Sequence, residues 1–246
     1  MEDIMKIKSL LKISLWVIMT LILILSVYCT KEEWDYVVLG DSSTWGFPKY
    51  FAAHIESDLG VKVKVHDKSV GGLSTGQLLK MLNDDKELRN IISEAEVVTF
   101  IANPGDHIGW RIITGEGWHD CSPEALAGYK SDLDEIIKEI FLLRKGAPTI
   151  IRAMDFYVPI HSEWKKRGEY EENRRCWNAL NETVHNAAKE HNIPVAPIYD
   201  SFNGLDHNED PRDKGYIGDD GIHTNEEGQK VIANLFRKLG YKRITP

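Results

Sequence analysis

The stretch Tyr36-Val37-Val38-Leu39-Gly40-Asp41-Ser42-Ser43-Thr44-Trp45-Gly46 (YVVLGDSSTWG) runs four apolar residues straight into a glycine, an acid and two hydroxyls. A short apolar run that stops in turn-forming residues reads as a strand buried on both faces. Similar runs recur at 61–65, 96–102, 148–153 and 194–199, and all are bounded by Gly, Pro or Asp. Between them the apolar spacing becomes helical. Residues 48–59 place Phe51, Ile55 and Leu59 on one face. Ser122-Pro123-Glu124 starts a long helix with a cap and a first-turn proline. Leu126, Leu133, Ile136, Ile137 and Ile140 form its apolar stripe, and Gly146 stops it. Residues 168–191 predict another helix, and Thr224-Asn225-Glu226-Glu227 reads as a capping box opening the last one. Strand and helix alternate five times, which predicts an α/β domain built on a parallel sheet. No internal repeat or shift of composition marks a second domain.

The net charge of -8 over 246 residues, with no Lys/Arg-rich run, excludes the electrostatic footprint of a nucleic-acid binder. Residues 1–30 differ in kind from the rest. Lys6, Lys8 and Lys12 precede an apolar run from Ile13 to Tyr28, the layout of an export signal. The run is shorter than the ~20 residues that span a bilayer comfortably. A cleaved leader is therefore expected first, with membrane attachment through residues 13–28 or a lipid on Cys29 as alternatives. Either way the domain at 31–246 is expected outside the cytoplasm, secreted or membrane-anchored. Two cysteines remain, Cys121 and Cys176, and the sequence leaves open whether they pair.

Sheets of this kind bind ligands at the carboxyl ends of their strands. Asp41 and Ser42 follow the first strand, Gly71 and Gly72 the second, Asn103 the third, and Asp220 and His223 come after the fifth. Acyl transfer needs a nucleophile, a base, an orienter for the base and donors facing the developing oxyanion. Ser42 suits the first role, His223 the second and Asp220 the third. The Ser42 and Gly72 N–H groups and the Asn103 carboxamide suit the oxyanion. Each piece taken alone is an ordinary turn or loop; their order and their placement at strand ends favour the chemistry.

Four blocks, VVLGDSSTWG, SVGGLSTGQLL, TFIANPGD and DDGIHTNEEGQKVIA, resemble those of the SGNH/GDSL hydrolase superfamily, in that family's order and over nearly all of residues 36–240. The resemblance implies a flavodoxin-like, three-layer α/β/α fold with a five-stranded parallel sheet in the order 2-1-3-4-5, and ester or thioester hydrolysis without a cofactor. It places the nucleophile on Ser42, the oxyanion donors on Ser42, Gly72 and Asn103, and the Asp-x-x-His pair on Asp220 and His223. Two departures stand out. Asn103-Pro104-Gly105-Asp106 replaces the usual Gly-x-Asn-Asp, and Asp67 stands where many members carry asparagine.

A rival nucleophile is Ser74, since Gly72-Leu73-Ser74-Thr75-Gly76 fits Gly-x-Ser-x-Gly. No strand runs directly into it, because Lys68 and Ser69 intervene. The histidines show no zinc spacing, so no metal is expected. Asn181-Glu182-Thr183 matches a glycosylation acceptor. Trp110 and Trp118, in the connection 105–121, and Trp164, in 157–167, are candidate substrate contacts, though loop packing explains them equally well. The leading expectation is an exported serine esterase acting on a small-molecule, glycan or lipid ester with a short acyl group, such as an acetylated carbohydrate or a lysolipid. The alternatives are an acyltransferase using the same acyl-enzyme and a non-catalytic glycan- or lipid-binding module.

Overall fold

Five strands form one parallel sheet in the order β2-β1-β3-β4-β5: β1 Glu33–Leu39, β2 Lys62–Asp67, β3 Val97–Phe100, β4 Ile150–Met154 and β5 Val195–Ala196. The computed structural model describes residues 32–109 and 111–245. The expected leader, Cys29 and Trp110 lie outside the described residues. Tyr36 to Leu39 are fully buried in β1, as are Val97, Val98, Ile150 and Ile151 in β3 and β4. Their side chains have helices on both sides of the sheet, so a continuous apolar run is stable there. β1 pairs with β3 from Tyr36↔Val97 to Leu39↔Phe100, which brings the ends of these two strands level. The residues that follow each of them emerge side by side.

The fifth apolar run is shorter as a strand than expected. Only Val195 and Ala196 join the sheet, and Ile198–Asn203 forms a helix. Pro197 between them has no N–H to give the ladder. Ile198, Tyr199 and Phe202 still enter the core, now from that helix.

Nine α-helices flank the sheet among the described residues: α1 Phe47–Leu59, α2 Thr75–Asp84, α3 Lys86–Glu94, α4 Arg111–Thr114, α5 Pro123–Arg144, α6 His161–Arg167, α7 Tyr170–Glu190, α8 Ile198–Asn203 and α9 Glu226–Lys238. None of them is long and apolar enough to cross a membrane. α5 packs on α2, α3 and α7, and α1 packs on α9. In the second pair Phe47 stacks on Phe236 with ring centroids 5.0 Å apart, and Arg237 grips Asp58 at 2.6 and 2.8 Å. Thus the helix that follows Ser42 docks on the helix that follows His223. Two local expectations are corrected. Leu59 is 38% exposed in the last turn of α1, and Phe47 takes its place on the buried face. The cap of α9 is Asn225, whose side chain accepts from Gly228 N at 3.1 Å, while Thr224 pairs with Ile217. Cys121 and Cys176 form a disulfide, with Cα atoms 5.5 Å apart, that ties the end of the 105–121 connection to α7.

Candidate active site

β1 ends at Leu39, and the chain turns at once. Gly40 has φ +148°, and a Cβ there would stand 2.5 Å from Ile101 Cγ2, so only glycine lets the turn lie this close to the end of β3. Asp41 caps a single 3-10 turn, Ser42–Thr44, by accepting from Ser43 N at 2.9 Å. Its own carbonyl accepts from Thr44 N at 3.1 Å and from Thr44 Oγ1 at 2.8 Å. The turn raises Ser42 above the carboxyl edge of the sheet.

The loop ahead of α9 supplies the partner. Gly218 N donates to His223 O at 2.8 Å, which folds the segment into a narrow hairpin-like bend. Asp220 Oδ1 accepts from Ile222 N and His223 N, both at 2.9 Å, and Oδ2 lies 2.6 Å from His223 Nδ1. These bonds, led by the one from Ile222 N, hold the Asp220 carboxyl down at about 2. An ionised carboxylate can only accept, so Nδ1 carries the imidazole proton and Nε2 is left as an acceptor. Nε2 sits 2.9 Å from Ser42 Oγ, 181 residues away in sequence. A neutral imidazole placed this way can take the serine proton.

Asn103 is buried beside them despite the proline that follows. Its Oδ1 accepts from Gly105 N at 2.9 Å, its Nδ2 donates to the Asp41 carboxylate, and its backbone carbonyl accepts from Thr75 N at 3.0 Å. Pro104 thus leaves the carboxamide at the sheet edge. One Nδ2 hydrogen is used on Asp41, which leaves the second. The loop carrying Gly72 is pinned on both sides: Val70 N donates to Gly40 O at 3.0 Å, and Ser74 pairs with Asn103. Gly72 has φ +71°. The N–H groups of Ser42 and Gly72 donate to no acceptor among the described residues. Two N–H groups and one carboxamide hydrogen are thus left without an acceptor, in the segments that follow β1, β2 and β3.

A cavity of about 90 Å³ opens beside Ser42. Asp41, Ser43 and Asn103 form its polar end, and Ile113, Phe156, Tyr157, Pro159, Trp177 and Ile222 its apolar walls. The wall that follows β4 is held by side chains standing in for strand partners. Asn181 accepts from Phe156 N and donates to Phe156 O, both at 2.9 Å, and Asn203 does the same for Val158 at 2.8 and 3.0 Å. Trp177 Nε1 adds a second bond to Phe156 O at 2.9 Å, and Tyr157 OH donates to Ile222 O at 3.0 Å. Asn181, the residue of the glycosylation match, is thus 4% exposed with its carboxamide oxygen and nitrogen both hydrogen-bonded to Phe156, so the match does not offer an accessible acceptor.

Other expectations shift as well. Trp164 does not reach the cavity: it is 0% exposed, donates to Ile112 O at 2.6 Å and packs edge-on against Trp177, so it supports the wall from behind. Trp118 is 55% exposed and lies outside the lining. Ser74 caps α2, in a reciprocal box with Gln77, and is not a nucleophile in waiting. Asp67 accepts from Ser69 N at 3.0 Å and turns the chain out of β2. The two connections that carry the candidate tryptophans do supply walls, through Ile113 and through Tyr157 and Pro159, while Phe156 and Trp177 were missed. Sequence reasoning also missed Trp45, whose ring stacks on His223 at 5.5 Å between centroids and 20° between planes. An aromatic residue three positions after Ser42 was the available signal.

The parallel sheet in the order 2-1-3-4-5 between helical layers is the fold of the SGNH/GDSL hydrolase superfamily. The chain belongs to the GDSL-like Lipase/Acylhydrolase family, whose model matches residues 38–231, and it is a carboxylic ester hydrolase. It is 23% identical over 222 residues to the spore germination lipase LipC of Bacillus licheniformis, an alignment covering 85% of this chain and 98% of that one. The lipase Lip_vut3 from a goat rumen metagenome shares the fold with a TM-score of 0.70 and 22% identity, over 85% of this chain and 98% of its own. The psychrotrophic esterase EstA from Pseudoalteromonas sp. does so with a TM-score of 0.54 and 14% identity, over 83% and 94%.

Proposed function

We propose that the protein is an exported serine esterase that hydrolyses small-molecule esters of short acyl groups through an acyl-enzyme on Ser42. His223 Nε2 takes the hydroxyl proton as Ser42 Oγ bonds to the ester carbonyl carbon. Asp220 holds the ring in the tautomer this requires and stabilises the imidazolium that results. The negative carbonyl oxygen of the tetrahedral intermediate is met by Ser42 N–H, Gly72 N–H and the second Nδ2 hydrogen of Asn103. Collapse breaks the bond to the alcohol, which leaves with the proton from His223. Water then repeats the sequence and releases the acid, restoring the serine.

The observation that carries this reading is the unbroken line from Asp220 through His223 to Ser42, at 2.6 and 2.9 Å. The small apolar cavity beside the serine supports a short acyl group. Export is supported by the pattern of residues 6–28 and by the Cys121–Cys176 bond, since disulfides persist in oxidising compartments. Incubation with p-nitrophenyl acetate and with a fluorophosphonate probe tests the reading. Turnover and a covalent adduct mapped to Ser42 are expected, and both vanish in Ser42→Ala. A Ser42→Ala protein that still turns over and still labels sinks it.

A further inference from the structure

The cavity accounts for the acyl half of an ester, and nothing so far holds the alcohol half. The alcohol must leave next to His223 Nε2, because that nitrogen returns the proton to it. What stands beside the imidazole, outside the cavity lining, is Trp45. Its ring overlies His223 nearly parallel, and a Cβ on Gly71 would come within 3.3 Å of its six-membered ring, so that loop abuts its edge. The residue is nevertheless 45% exposed, and it is absent from the hydrophobic core. An indole left half in water is costly, since aromatic side chains are among the largest apolar surfaces a protein has to cover. Two further exposed apolar residues adjoin its neighbours in sequence: Val70, next to Gly71, and Ile222, next to His223.

On the reading that Ser42 is the nucleophile, we propose that Trp45 is the leaving-group subsite, and that the enzyme selects esters whose alcohol carries a flat ring close to the ester oxygen. A ring laid on the indole puts the departing oxygen beside His223 while the acyl group occupies the cavity. An indole face binds an aromatic ring through offset stacking and a pyranose through its C–H face, so an aryl-methyl alcohol and a sugar present the same chemistry to it. Trp45 acts on substrate position. It takes no part in the proton transfers.

The test compares acetates that form the same acyl-enzyme. Wild-type protein, Trp45→Phe and Trp45→Ala are assayed with benzyl acetate, ethyl acetate and an acetylated methyl glucoside, and kcat/KM is taken for each. Benzyl alcohol and ethanol have similar acidity, and any intrinsic difference cancels when the ratio is compared between variants. Trp45→Ala should lower the benzyl-to-ethyl ratio about three- to ten-fold, the range expected for one lost aromatic contact. Trp45→Phe should keep most of the ratio. A fall of the glucoside-to-ethyl ratio by a similar factor marks a sugar as a fitting alcohol; a fall confined to benzyl restricts the site to aromatic alcohols. If Trp45→Ala slows all three esters equally, Trp45 merely supports His223 and the proposal is overturned. It is overturned too if no ratio moves. Failure of the Ser42 reading is a separate outcome, since it shows in Ser42→Ala activity and labelling and leaves the ratios measurable.

Discussion

Asn103 Nδ2 donates to the buried carboxylate of Asp41, so the residue just before the serine holds the carboxamide beside it in place. Asn103→Ala should lower kcat on the order of 10²-fold with little change in KM, the usual cost of one oxyanion donor. Asp41→Ala frees the same carboxamide to rotate and should approach that loss. The two changes act through one hydrogen bond donor, so the double variant should fall well short of the product of the single effects. Independent, multiplying losses would detach Asp41 from Asn103.

The pH profile follows from the two protonation states at the site. His223 accepts the serine proton through its unprotonated Nε2, and Asp220 fixes that tautomer only while its carboxylate is ionised. Asp220 is held at about 2, so its carboxylate persists at any pH above that value. Protonation of Asp220 should therefore contribute to acid-side loss of kcat/KM only as pH approaches 2. An Asp220 carboxyl that NMR shows titrating in the ordinary carboxylate range contradicts the assignment. Asp220→Asn removes the tautomer lock and should cost on the order of 10³- to 10⁴-fold in kcat.

Acyl length is read by the cavity. Among p-nitrophenyl esters, acetate and butyrate should outpace octanoate. Ile113 lines the cavity and is free of the hydrogen bonds that hold the opposite wall, so Ile113→Ala enlarges it with little other change. The variant should raise the octanoate-to-acetate ratio of kcat/KM about ten-fold or more, since each methylene accommodated counts for at least that order. Wild-type protein that treats octanoate and acetate alike argues that the chain lies elsewhere.

Cys121 and Cys176 are 55 residues apart; Cys121 ends the connection that carries Ile113, and Cys176 adjoins Trp177. Cys121→Ser with Cys176→Ser should lower unfolding stability by about 2–4 kcal/mol. Denaturant titration measures it. Because both sides of the acyl cavity are tied by this bond, KM for short esters should rise in the reduced protein even where the fold survives.

His185 Nε2 meets the buried carboxylate of Asp155 at 2.9 Å, and this bond raises the imidazole above its ordinary value. A raised histidine stabilises the fold fully below its unfolded titration, near 6.5, and the contribution fades as pH rises through the higher folded value. The melting temperature should therefore drop more on His185→Gln at pH 5 than at pH 9. Equal drops at both would place the contribution elsewhere.

The catalytic line was legible because it depends on short local signals. A strand that stops at Gly40-Asp41-Ser42 and an Asp-x-x-His ahead of a capped helix each fix a side chain relative to its own backbone. Sheet order then brings them together. The cavity walls were not legible, because Phe156 and Tyr157 sit in an irregular segment whose course depends on Asn181 and Asn203, 25 and 45 residues further on. Trp164 and Trp45 show the same limit from two sides. A tryptophan in a connection can cover the core or face a substrate, and only packing decides. The fifth strand is short for a local reason: Pro197 has no N–H to extend the ladder, and the apolar residues after it turn into a helix.

The docking of α1 on α9 also governs when the protein becomes active. Ser42 leaves the ribosome long before His223, and their contact closes a loop of 181 residues, whose entropy is lost before any contact repays it. Phe236 meets Phe47 and Phe51 only after α9 is made. Hydrolytic activity in a refolding mixture should accordingly lag the recovery of helical circular dichroism, which makes turnover a clock for the last event of folding.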